Sequence, residues 1–245
     1  MNGFSLLALA FPLVAPLAEA QRVPVLAELF TSEGCSSCPP ADQLLQRIDQ
    51  LQPIPGAEVL VLGEHVDYWN QLGWRDPFSS AQFTQRQQQY SRALGSEVYT
   101  PQLVVDGRQQ VLGSDPTAVR DAIARAAAKP KFPVHIVTAK RDNASALLTI
   151  SVDAIPKGRA EVWVAIADES ARSTVTRGEN AGRDLSHVAV VRSLTKIGSV
   201  NKSEGFDKAV RLPVNAASSR VVVFLSQDGA VTGADSARLR CGTRP

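Results

Sequence analysis

The sequence has 245 residues, with 26 Lys and Arg against 24 Asp and Glu and a formal net charge of +2; so small and scattered a positive balance does not track a nucleic-acid backbone. Hydrophobic residues make up 44% and charged residues 20% of the chain, the balance of a soluble globular protein with room for two domains. Past the N-terminus no segment stays apolar long enough to span a bilayer, so stable membrane insertion is not expected either.

Phe4 to Leu17 is apolar apart from Ser5, Pro12 and Pro16, and Ala18-Glu19-Ala20 then forms a small-x-small cleavage pattern before Gln21. Residues 1–20 are expected to be a signal peptide, which places the remainder in the periplasm or outside the cell. Val23 to Phe30 is an extended apolar run with one charge, Glu28, as in a strand covered on both faces. Thr31 to Cys38 is a Ser- and Gly-containing turn. Ala41, Leu44, Leu45, Ile48 and Leu51 then recur at helical spacing.

Glu58 to Val66 reads as a second buried strand, which a right-handed crossover through that helix makes parallel to the first. Ser79 to Leu94 sets Phe83, Tyr90 and Leu94 near one face of a polar helix that ends at Gly95. Gln102 to Val105 and Gln109 to Leu112 flank Asp106-Gly107, the signal of an antiparallel hairpin. Asp115 and Pro116 open an Ala-rich helix that runs through Ala128.

Lys129-Pro130-Lys131 is the expected boundary, giving domains at 21–129 and 131–245. Beyond it the pattern changes to strands at Val134 to Thr138, Ala146 to Val152, Glu161 to Ala167, Val188 to Leu194, Ala209 to Leu212 and Arg220 to Leu225. Short strands separated by Gly, Asn, Asp and Pro predict a mostly antiparallel, sandwich-like second domain. The fold class is α/β in the first half and β in the second.

Chemistry concentrates at Glu33-Gly34-Cys35-Ser36-Ser37-Cys38-Pro39-Pro40. Two cysteines three apart at a helix entrance can lie on one side of the first turn. The unpaired N–H groups and the helix dipole stabilise a thiolate there, which makes Cys35 the natural nucleophile. Cys38 would resolve a mixed disulfide, and prolines at 39 and 40 fit early helical positions that need no donor. Such a pair serves redox exchange, a static disulfide or part of a metal site. A zinc centre needs four ligands, and the rest of the chain offers Cys241, His65, His135 and His187 without recognisable spacing. Cu(I) held by Cys35, Cys38 and His65 stays open, because soft thiolates favour it.

The order strand, Cys-x-x-Cys at a helix start, second strand, then Tyr99-Thr100-Pro101 leading into a hairpin resembles the thioredoxin superfamily. That resemblance implies that Pro101 is the cis-proline packed against the cysteine pair, and that Glu28 stands near the buried acid that takes the resolving cysteine's proton. A closer resemblance is to a family of secreted proteins with a thioredoxin-like N-terminal half, catalogued as a domain of unknown function. It is carried by Glu28 through Asp42, by His65-Val66-Asp67-Tyr68-Trp69-Asn70, by Tyr99-Thr100-Pro101-Gln102 and by Arg177-Gly178-Glu179-Asn180.

His65, Asp67, Tyr68, Trp69 and Asn70 follow the C-terminal end of a parallel strand, the edge where α/β proteins bind ligands. With Thr100 they would line a substrate groove, or else brace a long loop with Asp67 and Asn70 capping backbone groups. The polar loop bearing Arg172, Arg177 and Arg183 reads as solvated surface. The functional expectation is an exported thiol–disulfide oxidoreductase acting on protein thiols or disulfides. The cysteines themselves carry the electrons, so no cofactor is expected. The alternatives are a non-catalytic envelope binding protein and a Cu(I) chaperone.

Overall fold

From Val25 to Thr31 every residue of the first strand, β1 (Val23–Thr31), is buried. Its neighbours explain why. In the computed structural model, which describes residues 22–241, helix α1 (Pro39–Leu51) crosses over to β2 (Ala57–His65), and β2 lies parallel to β1. Helix α2 (Ala81–Leu94) leads to the hairpin of β3 (Gln102–Val105) and β4 (Gln109–Leu112), and β3 runs antiparallel on the other side of β1. Helix α3 (Pro116–Ala127) closes the first half. The expected signal peptide, residues 1–20, lies outside the described residues.

Local chemistry sets the helix boundaries. Both prolines sit in the first turn of α1, where their missing N–H groups cost nothing. Ser80 caps α2 by accepting from the Gln82 amide, and Gly95 ends it in the left-handed region. Asp115 caps α3 by accepting from Thr117 and Ala118. The alternation of β1 then sorts the core into layers. Val25, Ala27 and Leu29 pack on Leu45 and Ile48 of α1 and Ile123 of α3, whereas Leu26 turns to the opposite face and packs with Phe83 of α2.

Strand β5 (His135–Asp142), strand β6 (Ser145–Val152), the long hairpin of β7 (Arg159–Thr174) and β8 (Asp184–Asn201), then β9 (Phe206–Pro213), β10 (Ser218–Gln227), β11 (Ala230–Arg238) and β12 (Arg240–Cys241) form the rest. The result is a strand-rich mixed α/β fold with one large mixed sheet of eight strands, ordered β11-β10-β7-β8-β2-β1-β3-β4. A smaller sheet, β12-β5-β6-β9, packs on it through Leu148, Ile150 and Phe206 against Val162, Val164 and Val223. After the Lys129-Pro130-Lys131 linker the chain adds strands to two packed sheets, and the larger of these is shared by both halves of the chain. The junction is narrow: β8 meets β2 through the single pair Gly63 and Val190.

The large sheet also curls back on itself. At its far end Val231 donates its amide to the carbonyl of Asp106, 2.8 Å away in the β3–β4 turn. Gly107, at φ 61°, lies so close to the next turn that a Cβ there would stand 2.1 Å from the carbonyl oxygen of Gly229. Only glycine fits such a turn-to-turn contact. Strands β11 and β12 were not expected from the sequence; Ala230–Arg238 is rich in small and polar residues and lacks the apolar run of a buried strand.

Candidate functional site

The C-terminal ends of β1 and β2 carry the chemistry. Beyond Thr31 the chain turns through Ser32–Ser37 into α1, and Cys35 and Cys38 are joined there by a disulfide, with their Cα atoms 5.4 Å apart. Cys38 is the N-cap residue of α1, and its carbonyl accepts from the amides of Ala41 and Asp42. The Ser37 hydroxyl lies 3.4 Å from the Cys35 sulfur; because a disulfide sulfur carries no hydrogen, that hydroxyl is the donor. Both cysteines are fully buried, while Ser36 and Ser37 between them are exposed.

Around the pair lies a buried ionic cluster that sequence reasoning did not assemble. His187 of β8 points one ring nitrogen at Glu33 Oε1 (3.1 Å) and the other at Asp42 Oδ1 (3.6 Å). Burial alone would keep His187 neutral, but the Asp42 and Glu33 carboxylates prevail and push its pKa up to about 10. Burial likewise opposes the charge on Glu33, yet bonds from His187, Ser173 and the Trp74 indole hold its carboxyl below the usual range. Asp76, also held below its usual value against burial, faces His65 Nδ1 at 2.6 Å and accepts from the Glu33 and Phe78 amides. The rings of His65 and His187 stack edge to face with centroids 4.6 Å apart. No signal in the sequence unites these groups, because Glu33 and His187 are 154 residues apart and their strands meet only through the shared sheet.

The residues expected to line a groove prove to be well anchored. Asp67 exchanges bonds with Thr84, its amide donating to Thr84 Oγ1 and its Oδ1 accepting from it. Asn70 holds Ser79 and the Asp76 amide, and the Tyr68 hydroxyl donates to Gln87. The Trp69 indole donates to Thr100 Oγ1 at 2.9 Å, which brings the loop after β2 to the residue before Pro101. The Thr100–Pro101 peptide is cis and Pro101 is buried. Asp67 and Asn70 thus act as loop braces, while Tyr68, 39% exposed, keeps a face to solvent. Among the described residues no group of three or more His, Cys, Asp or Glu side chains is placed to hold a metal ion.

The thioredoxin resemblance implies Glu28 as a candidate proton acceptor for the cysteine pair; strand alternation turns it to the α2 face. There Arg86 Nε (2.6 Å) and the Tyr90 hydroxyl (2.6 Å) occupy its two oxygens. Asp42 follows Cys38 by one helical turn, its amide donating to the Cys38 carbonyl. It is buried, and its second oxygen accepts from the Thr31 hydroxyl at 3.2 Å.

The β7–β8 loop, read from sequence as solvated surface, is part of the site. Asn180 donates to the carbonyls of Glu33 (2.8 Å) and Cys35 (2.9 Å), and the Ser36 amide donates to Glu179 (3.0 Å). Arg177 and Arg183 themselves are exposed, as expected.

Fold and site together define a strand-rich mixed α/β protein with a disulfide-bonded Cys-x-x-Cys at a helix start. Residues 26–226 match the family described as "Protein of unknown function (DUF1223)", and the chain belongs to that family. It is similar to a protein of Agrobacterium tumefaciens known from an X-ray crystal structure, at 32% identity and a TM-score of 0.69, over 92% of this chain and 98% of that one. Partial likenesses to a β-glucosidase from Kluyveromyces marxianus (9% identity, TM-score 0.25, 45% of this chain and 14% of that one) carry no argument. The same holds for an alkylpurine DNA glycosylase from Pseudomonas fluorescens (15% identity, TM-score 0.25, 52% and 37%). No curated protein sequence matches the chain.

Proposed function

We propose that the chain is an exported thiol–disulfide exchange protein, with a thioredoxin-like N-terminal half, working on protein thiols or disulfides in the periplasm or outside the cell. The observation that carries this reading is the placement of the pair: a disulfide at the N-terminus of α1, at the carboxyl edge of two parallel strands, two residues after the buried Glu33 that meets His187. In the oxidising direction a substrate thiolate attacks Cys35 Sγ, a mixed disulfide forms, and Cys38 leaves as a thiolate and takes up a proton. A second substrate thiolate then displaces Cys35. Two substrate thiols leave as one disulfide, and the pair holds two electrons and two protons. The reverse sequence reduces a substrate. Pro101 with Thr100 and Trp69 shapes the approach.

A second reading has one observation in its favour: both cysteines are buried, as in a static disulfide within a binding protein. The reduction potential separates the two. Equilibration of residues 21–245 with thiol–disulfide buffers, followed by mass-tagging of free thiols, is expected to show a reversible transition within roughly −120 to −270 mV. A bond still closed below about −300 mV marks a static disulfide and rejects exchange.

A further inference from the structure

Disulfide exchange requires a thiolate to reach a sulfur atom, and neither Cys35 nor Cys38 has any solvent exposure. The nine-residue loop 175–183 between β7 and β8 is bonded to the turn that carries them. Asn180, itself fully buried, fastens it with two bonds to the carbonyls of Glu33 and Cys35, while its Oδ1 is buried without a partner. Glu179 adds a third bond, to the Ser36 amide, from a side chain open to solvent. Gly178 lies on Trp74, where a Cβ would stand 3.2 Å from the Trp74 Cβ.

The loop is also held together by its own backbone bonds. Its neck is tied by Val175 and Arg183 (2.9 Å) and by Gly182 and Val175 (2.8 Å), and its tip by Ala181 to Gly178 and Arg183 to Asn180. Each of these bonds stays inside the loop, so lifting it breaks few backbone contacts to the rest of the molecule. Its two glycines, Gly178 and Gly182, hold positive φ that other residues rarely adopt.

We propose that loop 175–183 is a displaceable cap on the Cys35–Cys38 disulfide. Asn180 is the positioning residue that keeps it shut and Glu179 is an exposed latch that an incoming molecule replaces. The cap follows from the geometry alone; calling the incoming molecule a substrate rests on the exchange reading above. A molecule that takes the place of Glu179 can offer the exposed Ser36 amide an acceptor in its turn. This favours a peptide presenting a carboxylate or a free backbone carbonyl over an apolar thiol.

The test is the rate at which dithiothreitol reduces the intact chain, read by mass-tagging against time. Two dithiothreitol thiols become a cyclic disulfide, and Cys35 and Cys38 become thiols. Asn180→Ala is expected to speed reduction about tenfold or more, as loss of two neutral hydrogen bonds from the closed state predicts, and Glu179→Ala about threefold. Reoxidation by the oxidised reagent is expected to speed up by the same factors, leaving the final dithiol-to-disulfide ratio unchanged within about twofold. Glu179→Ala alters only an exposed side chain, so it reports even if the Asn180 variant does not fold. Unchanged rates in Glu179→Ala and in any folded Asn180→Ala overturn the cap, as does acceleration in one direction only with a shifted final ratio. Faster reduction by the small thiol, with no exchange of a denatured disulfide-bonded protein by any form, keeps the cap and rejects the exchange reading instead.

Discussion

His187 has a carboxyl group on each side, and its raised pKa is a stability term with a definite sign. A base whose pKa rises from 6.5 to about 10 on folding contributes fully below pH 6.5 and loses that contribution as pH climbs to about 10. His187→Gln is therefore expected to flatten the stability profile across that window, as followed by urea unfolding at stepped pH. At pH 7 it should cost about 3–5 kcal/mol, because Glu33 and Asp42 stay buried without their cation. An unchanged slope between pH 6.5 and 10 would contradict the ion triad. Glu64 acts in the same direction from another face of the sheet. Burial, and then the Glu28 charge, push its pKa well above 4.5, and neither of its oxygens has a hydrogen-bond partner. An acid whose pKa is raised on folding stabilises most at low pH and loses that contribution as pH rises from about 4.5. Glu64→Gln is expected to be more stable than the parent at pH 8 by on the order of 1 kcal/mol, with the gain vanishing near pH 4.

Among the elements, β7 and β8 explain where a sequence reading succeeds and where it stops. The two parallel strands, the hairpin at Asp106-Gly107 and the three helices were legible because apolar spacing, capping residues and turn residues each announce them locally. Glu161 to Ala167 and Val188 to Leu194 were legible for the same reason. The ends beyond them, from Asp168 to Thr174 and from Asp184 to His187, carry polar residues and read as loop. They are strand because they pair with each other, Thr174 opposite Asp184 and Ala171 opposite His187. The Cys-x-x-Cys centre could be read from eight consecutive residues, but His187, which joins Glu33 and Asp42, comes from that hairpin and needed the tertiary fold. The junction between β8 and β2 is the sensitive point of this arrangement. A Cβ at Gly63 would stand 3.1 Å from the Val188 carbonyl oxygen, so Gly63→Ala is expected to destabilise by about 1–3 kcal/mol. It should also raise amide hydrogen exchange in residues 184–190; a neutral substitution would mean that the two strands are not locked together.

For the molecule as a whole, one sheet running through both halves predicts one cooperative unit. Trp69 and Trp74 belong to the loop after β2, and Trp163 belongs to β7, so fluorescence can watch each half separately. Urea unfolding of Trp163→Phe and of the double variant Trp69→Phe, Trp74→Phe, each compared with far-UV circular dichroism of the same protein, is expected to give coincident transitions within each variant. Two separated midpoints would show that the halves unfold independently. The clasp between the Asp106-Gly107 and Asp228-Gly229 turns adds a demand on the whole chain. Strand β8, which flanks β2, and the residues that touch the β3–β4 turn come late in the chain. A chain cut short before them would therefore leave the edge of β2 bare and the sheet unfinished, however complete its first half.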